Sequence, residues 1–207
     1  MMDFIIFGIT AYLLGSIPTA VWLGRAKYGI DVREHGSKNA GATNTFRVLG
    51  KKPGVVVLCV DIVKGYLAVT LPYFFGVGEW GSDQLINVQL VTALTAVMGH
   101  VLPIFAGFNG GKGVATSLGV VIGVHPPAAG IMIGIFLIVF ITSHFVSLGA
   151  IVAATSFPLL LWLVFHVNSI WLLAFSCFLS AAVIFAHKKN IARLLAGEEN
   201  KMNLFKK

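Results

Sequence analysis

The polar residues that could do chemistry gather in a few short segments of this sequence, and their types suit a phosphate group. The first segment, 29–50, contains Ser37, Asn44 and Arg47 among several glycines. Hydroxyl, amide and guanidinium groups together suit an oxyanion, and glycine lets the backbone approach a ligand closely. An ordinary amphipathic loop would have a similar composition, so this segment alone leaves both interpretations open.

The second segment, 99–116, contains Gly110-Gly111-Lys112-Gly113 just before a predicted helix. Successive glycine amides at a helix N-terminus favour an anion, and the lysine adds a full positive charge. The segment is not a Walker loop, because Ala106 stands where the first glycine is required and Gly113 follows the lysine. We predict phosphate binding without nucleotide hydrolysis; the alternative is a flexible connection with a cytoplasmic lysine.

Two further segments lie near the C-terminus. Segment 143–147 is short and polar, and a plain loop is its simplest interpretation. In segment 187–198, His187 and Asn190 are three residues apart and therefore share one helical face. A helix on an anionic lipid surface would explain the basic residues here, but it would not explain His187 and Asn190. The basic residues are Lys188, Lys189 and Arg193.

Asp61 and Lys64 are unusual because both lie within an apolar stretch. Their spacing of three residues predicts that they pair with each other or with neighbours on a helix. Ionisable groups at membrane depth are candidates for function. For this pair we nevertheless favour a structural role.

The elements that must position these residues are membrane helices. The chain is 57% hydrophobic and 11% charged, with a mean hydropathy of +0.88, whereas soluble domains are about 25% charged. This composition excludes a soluble globule and a disordered chain, and it indicates a polytopic membrane protein. Cys59 and Cys177 lie in apolar runs without partners at a metal or redox spacing, so we expect no disulfide.

Apolar runs long enough for a membrane helix of about 20 residues recur along the chain. Five of them are 4–24, 53–75, 85–105, 151–165 and 170–186. A sixth stretch, 114–142, contains His125-Pro126-Pro127 and is either one long kinked helix or two short ones. Consecutive prolines remove two backbone donors and favour a turn.

The distribution of charge decides whether the stretch 114–142 counts as one span or two, and hence whether the chain has six or seven spans. With seven spans and the N-terminus outside, only Lys64 of the 15 Lys and Arg residues lies outside the inner loops, whereas six spans would break the positive-inside rule. The fold class is therefore predicted to be an all-α integral membrane protein with seven transmembrane helices and a cytoplasmic C-terminus. We expect short or re-entrant segments near 107–127 and a single domain over 1–207. The inner loops are 25–52, 107–113, 143–148 and 187–207.

Several classes of enzyme are excluded by missing motifs. The sequence has no G-x-S-x-G elbow, no H-E-x-x-H motif, no His-x4-Asp motif and no Cys/His zinc set. No pattern resembles a nucleic-acid-binding module. Two functions remain: an enzyme that joins a phosphorylated metabolite to an acyl chain, or a transporter of an organic phosphate. A transporter would be expected to have repeats and a midplane site, so the polar cluster at one interface favours the enzyme.

Three motifs resemble the signature segments of the bacterial acyl-phosphate:glycerol-3-phosphate acyltransferase (PlsY) family. They are GSKNAGATNTFR at 36–47, GHVLPIFAGFNGGKGVAT at 99–116 and HKKNIARLLAGE at 187–198. The sequences GSIP at 15–18 and DIVKG at 61–65 also resemble this family. The likeness extends along the whole chain in the same order.

The resemblance implies a seven-helix enzyme of phospholipid biosynthesis. It would transfer a fatty acyl group from acyl phosphate to the 1-position hydroxyl of sn-glycerol 3-phosphate, giving lysophosphatidic acid and phosphate. Neither acyl-CoA nor acyl carrier protein would be the direct donor, and no cofactor or metal would be needed. It further implies a multi-pass protein of the bacterial cytoplasmic (inner) membrane with its active site facing the cytoplasm. Its partners would be the two substrates and membrane lipid, without nucleic acid, and we expect a monomer.

The resemblance also assigns roles to individual residues. The general base is left open between His187 and the phosphate of the acceptor. The sequence departs from the family at Asn109, where many relatives have a basic residue, and at Ser143-His144, where Thr and a basic residue are common. The substrate-binding residues would be Ser37, Asn44, Arg47, Gly110, Gly111, Lys112 and Gly113. The catalytic residues would be Ser147, His187 and Asn190.

Overall fold

A computed structural model describes residues 1–202 of the protein, and this part of the chain contains helices and no strand. Two short 3₁₀ turns, Val32–Glu34 and Ile104–Ala106, and a π-helical turn, Leu160–Val164, lie between the α-helices. The α-helices of the described residues are α1 (Met2–Gly15), α2 (Thr19–Tyr28), α3 (Ala42–Val48), α4 (Lys51–Phe74), α5 (Asp83–Val101), α6 (Val114–Val124), α7 (Pro126–Ser143), α8 (Val146–Leu159), α9 (Ile170–Ala186) and α10 (Lys188–Leu195).

Most of these helices are apolar enough to cross a membrane. Five helical stretches within residues 1–202 are both long and apolar enough, and α9 with α10 would make a sixth if this pair, bent by 61°, is one span. Large apolar side chains such as Ile9, Ile138 and Phe178 are exposed on these helices, as expected for contact with lipid. The prediction of an all-helical, multi-pass membrane protein is therefore confirmed. The five stretches are Met2–Tyr28, Lys51–Phe74, Asp83–Ala106, Pro126–Ser143 and Val146–Val164.

Proline determines where two of the predicted runs are broken. The run 114–142 is two helices, because α6 ends at Val124 and α7 begins at Pro126, where the absent N–H of proline costs nothing. His125 caps α7, since its Nδ1 accepts a hydrogen bond of 3.2 Å from the backbone N–H of Ala128. The run 4–24 lies within the single apolar stretch Met2–Tyr28, as predicted. A break inside this stretch was not predicted: α1 ends at Gly15 and α2 begins after Pro18, which disfavours a helical residue before it.

The first of two compact units contains residues Met1–Val124. Within it α1 packs against α5, and α4 packs against α6. A Cβ on Gly65 of α4 would collide with the carbonyl oxygen of Thr116, and a Cβ on Gly119 of α6 would collide with that of Ile62. These two helices therefore approach backbone to backbone, as small residues allow in membranes.

The second unit begins at His125, and its described part runs to Met202. Within it α8 packs against α7, α9 and α10. α7 ends at Ser143, and the next residue, His144, caps it: His144 adopts the left-handed conformation (φ 63°) and its N–H donates to the carbonyl of Phe140. α8 begins two residues after His144. The prediction of a single domain over 1–207 stays a prediction.

Candidate active site

Asn44 shapes the loop that carries Ser37. Asn44 lies on α3 and is buried, and its side-chain NH₂ donates to the carbonyl oxygens of Val32 (2.7 Å) and His35 (3.1 Å). Its side-chain oxygen accepts a hydrogen bond of 2.8 Å from the backbone N–H of Ser37. Ser37 itself is exposed, as is Arg47 one helical turn after Asn44. These contacts give Asn44 an organising role, and they leave the hydroxyl of Ser37 at the surface.

An ion-pair cluster that the sequence did not reveal joins this first segment to the loop before the glycine motif. Arg33 contacts both carboxylate oxygens of Asp31, with 2.8 Å between Nη2 and Oδ2. Its Nη1 also donates to the carbonyl oxygens of Ala106 (2.7 Å) and Asn109 (3.2 Å). Arg25 pairs with the same carboxylate at 2.9 Å. The cluster therefore fixes two segments of the first unit to each other.

The charge state of Asp31 follows from this cluster. The hydrogen bond from the Arg33 side chain, together with the positive charges of Arg33 and Arg25, lowers the pKa of Asp31 from 3.8 to about 2. Burial opposes the shift but does not cancel it. Asp31 is consequently a carboxylate at any physiological pH. No feature that we used in the sequence distinguished Asp31 and Arg33 from ordinary loop charges.

The glycine motif folds back onto the end of α5. The backbone N–H of Gly110 donates to the carbonyl of Val101 (3.2 Å), and that of Gly111 donates to the carbonyl of His100 (3.1 Å). A Cβ on Gly110 would collide with the carbonyl oxygen of His100, and one on Gly111 would collide with Nε2 of the His100 ring. The two glycines are thus needed for close packing, and their amides are hydrogen-bonded within the protein rather than forming an open anion nest.

Lys112 follows these two glycines and is half-buried. Gly113 has a φ of 79°, a conformation that favours glycine, and its carbonyl accepts the hydrogen bond from Ser117 that begins α6. The motif therefore makes a tight turn into the helix and presents a lysine at its start.

A buried polar network lies beside this turn. Asp61 and Lys64 are paired at 2.8 Å, as predicted from their spacing. Nδ1 of His100 lies 3.1 Å from the hydroxyl of Thr116 and 3.6 Å from Oδ1 of Asp61. Lys64 also donates to the carbonyl of Ile17 at 2.9 Å. All four side chains of the network, Asp61, Lys64, His100 and Thr116, are at most 6% exposed.

In the second unit, two of the predicted catalytic residues share one carboxylate. The hydroxyl of Ser147 donates to Oε1 of Glu199 (2.9 Å), and the side-chain NH₂ of Asn190 donates to the same oxygen (2.7 Å). Nε of Arg193 donates to the other oxygen, Oε2, at 2.7 Å. Ser147, Asn190 and Glu199 are all buried. The structure thus brings Ser147 and Asn190 together through a residue that lies just outside the third motif.

Glu199 is an acceptor of hydrogen bonds in this cluster. Burial alone would raise its pKa, but the hydrogen bonds from Arg193, Asn190 and Ser147 outweigh burial and hold the pKa below its ordinary value. An ionised carboxylate only accepts hydrogen bonds, so it fixes the direction of both the Ser147 O–H and the Asn190 N–H. Sequence reasoning missed Glu199 because nothing in the spacing connects it to Ser147, 52 residues earlier.

His187 is buried at the joint between α9 and α10, where the chain bends by 61°. Its Nδ1 lies 2.8 Å from the carbonyl oxygen of Val183. A carbonyl only accepts, so Nδ1 carries the hydrogen in this contact, and in the neutral ring Nε2 keeps its lone pair. Within residues 1–202 no group of three or more His, Cys, Asp or Glu side chains is placed to hold a metal ion.

Together, the apolar helices and the buried polar clusters define a multi-pass membrane protein equipped for chemistry on a polar substrate. A family model described as glycerol-3-phosphate acyltransferase matches residues 5–197. The chain belongs to this family of enzymes, which confirms the resemblance noted in its motifs and favours an enzyme over a transporter.

Curated relatives agree with this assignment over the full length of the chain. A glycerol-3-phosphate acyltransferase of Chlorobaculum tepidum is 40% identical over 231 aligned residues that cover 100% of each chain. One of Fusobacterium nucleatum is 42% identical and covers 97% of this chain and 98% of its own. The glycerol-3-phosphate acyltransferase 2 of Bacillus cereus is 44% identical, with 96% and 95% covered.

Two solved structures share the fold. One is the crystal structure of PlsY (YgiH), an integral membrane glycerol 3-phosphate acyltransferase, in its glycerol 3-phosphate form; it is 38% identical, with a TM-score of 0.86 over 98% of this chain and 99% of the other. The other is the lysophosphatidic acid form of PlsY, with a TM-score of 0.81 over 97% and 95% of the two chains.

Proposed function

We propose that the protein transfers a fatty acyl group from acyl phosphate to the 1-position hydroxyl of sn-glycerol 3-phosphate. The products are lysophosphatidic acid and inorganic phosphate. The observation that carries this proposal is the fold shared with PlsY in its glycerol 3-phosphate and lysophosphatidic acid forms. The acyl phosphate donor rests on the resemblance of the three motifs.

The first unit supplies the groups for binding phosphate. Lys112 and Arg47 provide positive charge, and the exposed hydroxyl of Ser37 provides a further donor. Asn44 acts by shaping the loop of Ser37, as its hydrogen bonds to Val32, His35 and Ser37 indicate. Gly110, Gly111 and Gly113 form the turn that presents Lys112.

The second unit supplies the groups for the acyl transfer step. Acyl phosphate is already activated by its leaving group, so the protein needs to orient the hydroxyl and stabilise the developing oxyanion, without an acyl-enzyme. Ser147 and Asn190 are suited to this orienting role, because Glu199 fixes their hydrogen bonds. The base is either Nε2 of His187 or the phosphate of the acceptor, and no cofactor takes part.

We further propose that the protein is a monomer in the bacterial cytoplasmic (inner) membrane, with its site facing the cytoplasm. Seven transmembrane helices, with the N-terminus outside and the C-terminus inside, follow if α6 counts as a span. α6 has only 11 residues, which is about 16 Å at 1.5 Å per residue. This is short for a hydrocarbon core of about 30 Å, and it corresponds to the short segment expected near 107–127. Partners are the two substrates and membrane lipid.

The reaction is tested with the purified protein in lipid, labelled glycerol 3-phosphate and three donors: acyl phosphate, acyl-CoA and acyl carrier protein. We expect lysophosphatidic acid from acyl phosphate alone, and a loss of product in Lys112→Ala. The matched control is Lys27→Ala, since Lys27 is an exposed lysine on α2 with no role in the proposed site. Product from acyl-CoA but not from acyl phosphate would overturn the proposal that acyl phosphate is the donor. If no donor gave product, the proposed acyl transfer itself would be overturned.

A further inference from the structure

A buried group of charges borders the glycine motif without belonging to any residue set assigned above. Asp61 and Lys64 come from α4, His100 from the end of α5 and Thr116 from the first turn of α6. The group thus joins three helices of the first unit. Three members of the group, Asp61, Lys64 and His100, line a cavity of about 10 Å³ together with Ile17 and Pro18 from the break between α1 and α2. The other wall of this cavity includes Gly110 and Gly111. Such a volume accommodates about one water molecule.

Burial of this group is costly. A charged side chain loses several kcal/mol of hydration when it is buried, and even a well-paired buried ion pair is often no more stable than an apolar replacement. Asp61 is 2% exposed and Lys64 is 4% exposed, although their helix is otherwise apolar. An apolar pair would hold α4 in place equally well, so stability alone does not explain the ion pair. We therefore look for a role that needs its charges or hydrogen bonds.

His100 connects the ion pair to the glycine motif. On one side, Nδ1 faces the hydroxyl of Thr116 at 3.1 Å and the carboxylate of Asp61 at 3.6 Å. On the other side, Nε2 lies so close to Gly111 that a Cβ there would collide with it. The backbone carbonyl of His100 also accepts the hydrogen bond from the N–H of Gly111. The imidazole therefore lies between Asp61 and the residue that directly precedes Lys112.

We infer that Asp61, Lys64 and His100 are positioning residues for the glycine motif: the ion pair fixes the His100 ring, and the ring fixes Gly111 and hence the direction of Lys112. Lys64 holds Asp61, and its second hydrogen bond, to the carbonyl of Ile17, anchors the pair to the break between α1 and α2. The inference rests on the proposed role of Lys112 in binding glycerol 3-phosphate. Its consequence is that the network controls the affinity for this substrate without touching it.

The test is a set of variants assayed in the full-length protein with acyl phosphate as donor. We expect Asp61→Asn and His100→Gln to raise KM for glycerol 3-phosphate by about tenfold, because small misplacements of a binding group weaken binding strongly. We expect kcat to change by less than about threefold, and the KM for acyl phosphate likewise. A raised KM for glycerol 3-phosphate with little change in kcat means that the variant has lost binding energy that this substrate has in both the ground state and the transition state. An equal fall in kcat for both variants with KM unchanged would overturn the inference.

A more conservative substitution keeps the inference testable if Asp61→Asn does not fold. Thr116→Val removes the hydroxyl that contacts Nδ1, so we expect about a threefold rise in the same KM and a small fall in the thermal unfolding temperature of a protein that still folds. An unchanged KM in the folded Thr116→Val and His100→Gln proteins would overturn the inference.

Non-additivity gives a second readout, which tests the contact between the His100 ring and Gly111. In Gly111→Ala, the new methyl group meets the His100 ring, whereas in Gly111→Ala/His100→Ala the ring is absent. We therefore expect the double variant to have a KM no higher than that of His100→Ala. Gly130→Ala is the matched glycine control, since nothing lies within 4 Å of a Cβ there. Additive effects of the two substitutions would contradict a contact between ring and glycine.

Lys112→Ala separates this inference from the proposed function. If Lys112→Ala leaves KM for glycerol 3-phosphate unchanged while product still forms, the role of Lys112 is wrong and the inference loses its premise. If Lys112→Ala raises this KM and the network variants do not, the proposed function stands and the positioning inference is wrong.

Discussion

Glu199 illustrates how a single carboxylate organises two residues that are far apart in the sequence. One of its oxygens accepts hydrogen bonds from both Ser147 and Asn190, and the other accepts from Arg193. Ser147 and Asn190 were predicted to act together, but the group that aligns them was not predicted. A motif indicates which residue types matter, whereas a tertiary hydrogen bond between distant segments leaves no spacing to detect.

We expect Glu199→Gln to lower kcat by between about 10- and 100-fold. The amide keeps the size of the side chain, but it offers one acceptor oxygen instead of two and loses its charge, so Ser147 and Asn190 are no longer aligned. The matched control is Glu198→Gln, because Glu198 is an exposed neighbour. Steady-state kinetics at saturating concentrations of both substrates provide the measurement, and equal kcat values for the two variants would contradict the aligning role.

His187 allows the two candidate bases to be distinguished. If Nε2 takes the proton of the acceptor hydroxyl, we expect His187→Gln to lower kcat by about 100-fold or more. His166→Gln, at an exposed histidine between the last two apolar segments, is the control. A kcat of His187→Gln within a few-fold of the unmodified protein, with the fold intact, would instead assign the base to the phosphate of the acceptor.

Because the pKa of Asp31 is low in the folded protein, we expect the stability of the fold to depend on pH in the acid range. Its pKa in the folded protein, about 2, is lower than the ordinary value of 3.8. The ion pair therefore stabilises the fold fully above about pH 4, and this contribution is lost as the pH falls towards 2. We expect Asp31→Asn to lower the thermal unfolding temperature at pH 6 and to reduce its decline between pH 4 and pH 2. If the unfolding temperatures of Asp31→Asn and of the unmodified protein fell by the same amount between pH 4 and pH 2, the prediction would be contradicted.

At the scale of helices, proline explains both the success and the failure of prediction. The pair Pro126-Pro127 marked the end of α6 correctly, because two absent donors make a strong signal. The single Pro18 lies within an apolar run, and hydropathy alone did not reveal that α1 and α2 are separate. Apolar composition indicates how much chain lies in lipid, but it does not indicate where the backbone turns.

The close approach of α4 and α6 lets us predict how a larger residue between these helices would affect stability. A Cβ on Gly65 would collide with backbone rather than with a flexible side chain, so the helices must separate to accept it. We expect Gly65→Ala to destabilise the protein by about 1 to 3 kcal/mol, seen as a lower thermal unfolding temperature. Gly134→Ala on α7 is the control, since nothing lies within 4 Å of a Cβ there. Equal unfolding temperatures for the two variants would contradict backbone contact.

At the scale of the whole molecule, the positive residues predict the topology, and the number of spans depends on α6. Between Glu79 and Glu198 there are five spans if α6 crosses the membrane and four if it does not. Cysteines at these two exposed positions would therefore lie on opposite sides in the first case and on the same side in the second. The parent for this experiment lacks Cys59 and Cys177, which are both exposed in the structure.

With seven spans, we expect an impermeant maleimide to label Glu79→Cys in spheroplasts, and to label Glu198→Cys only after the membrane is made permeable. Labelling of both cysteines without permeabilisation would mean that α6 does not cross. Labelling of Glu198→Cys alone would mean that the predicted orientation is reversed.

The compactness of the first unit has a consequence for synthesis on the ribosome. The partners described for Asp61 lie before residue 124, since Lys64 and His100 both belong to the Met1–Val124 unit, as does Thr116, which contacts His100. Translation of the remaining residues takes roughly 4 to 17 s at about 5 to 20 residues per second. The buried charges can be neutralised during this interval, so the nascent chain need not hold an unpaired carboxylate in lipid while its second half is still being made.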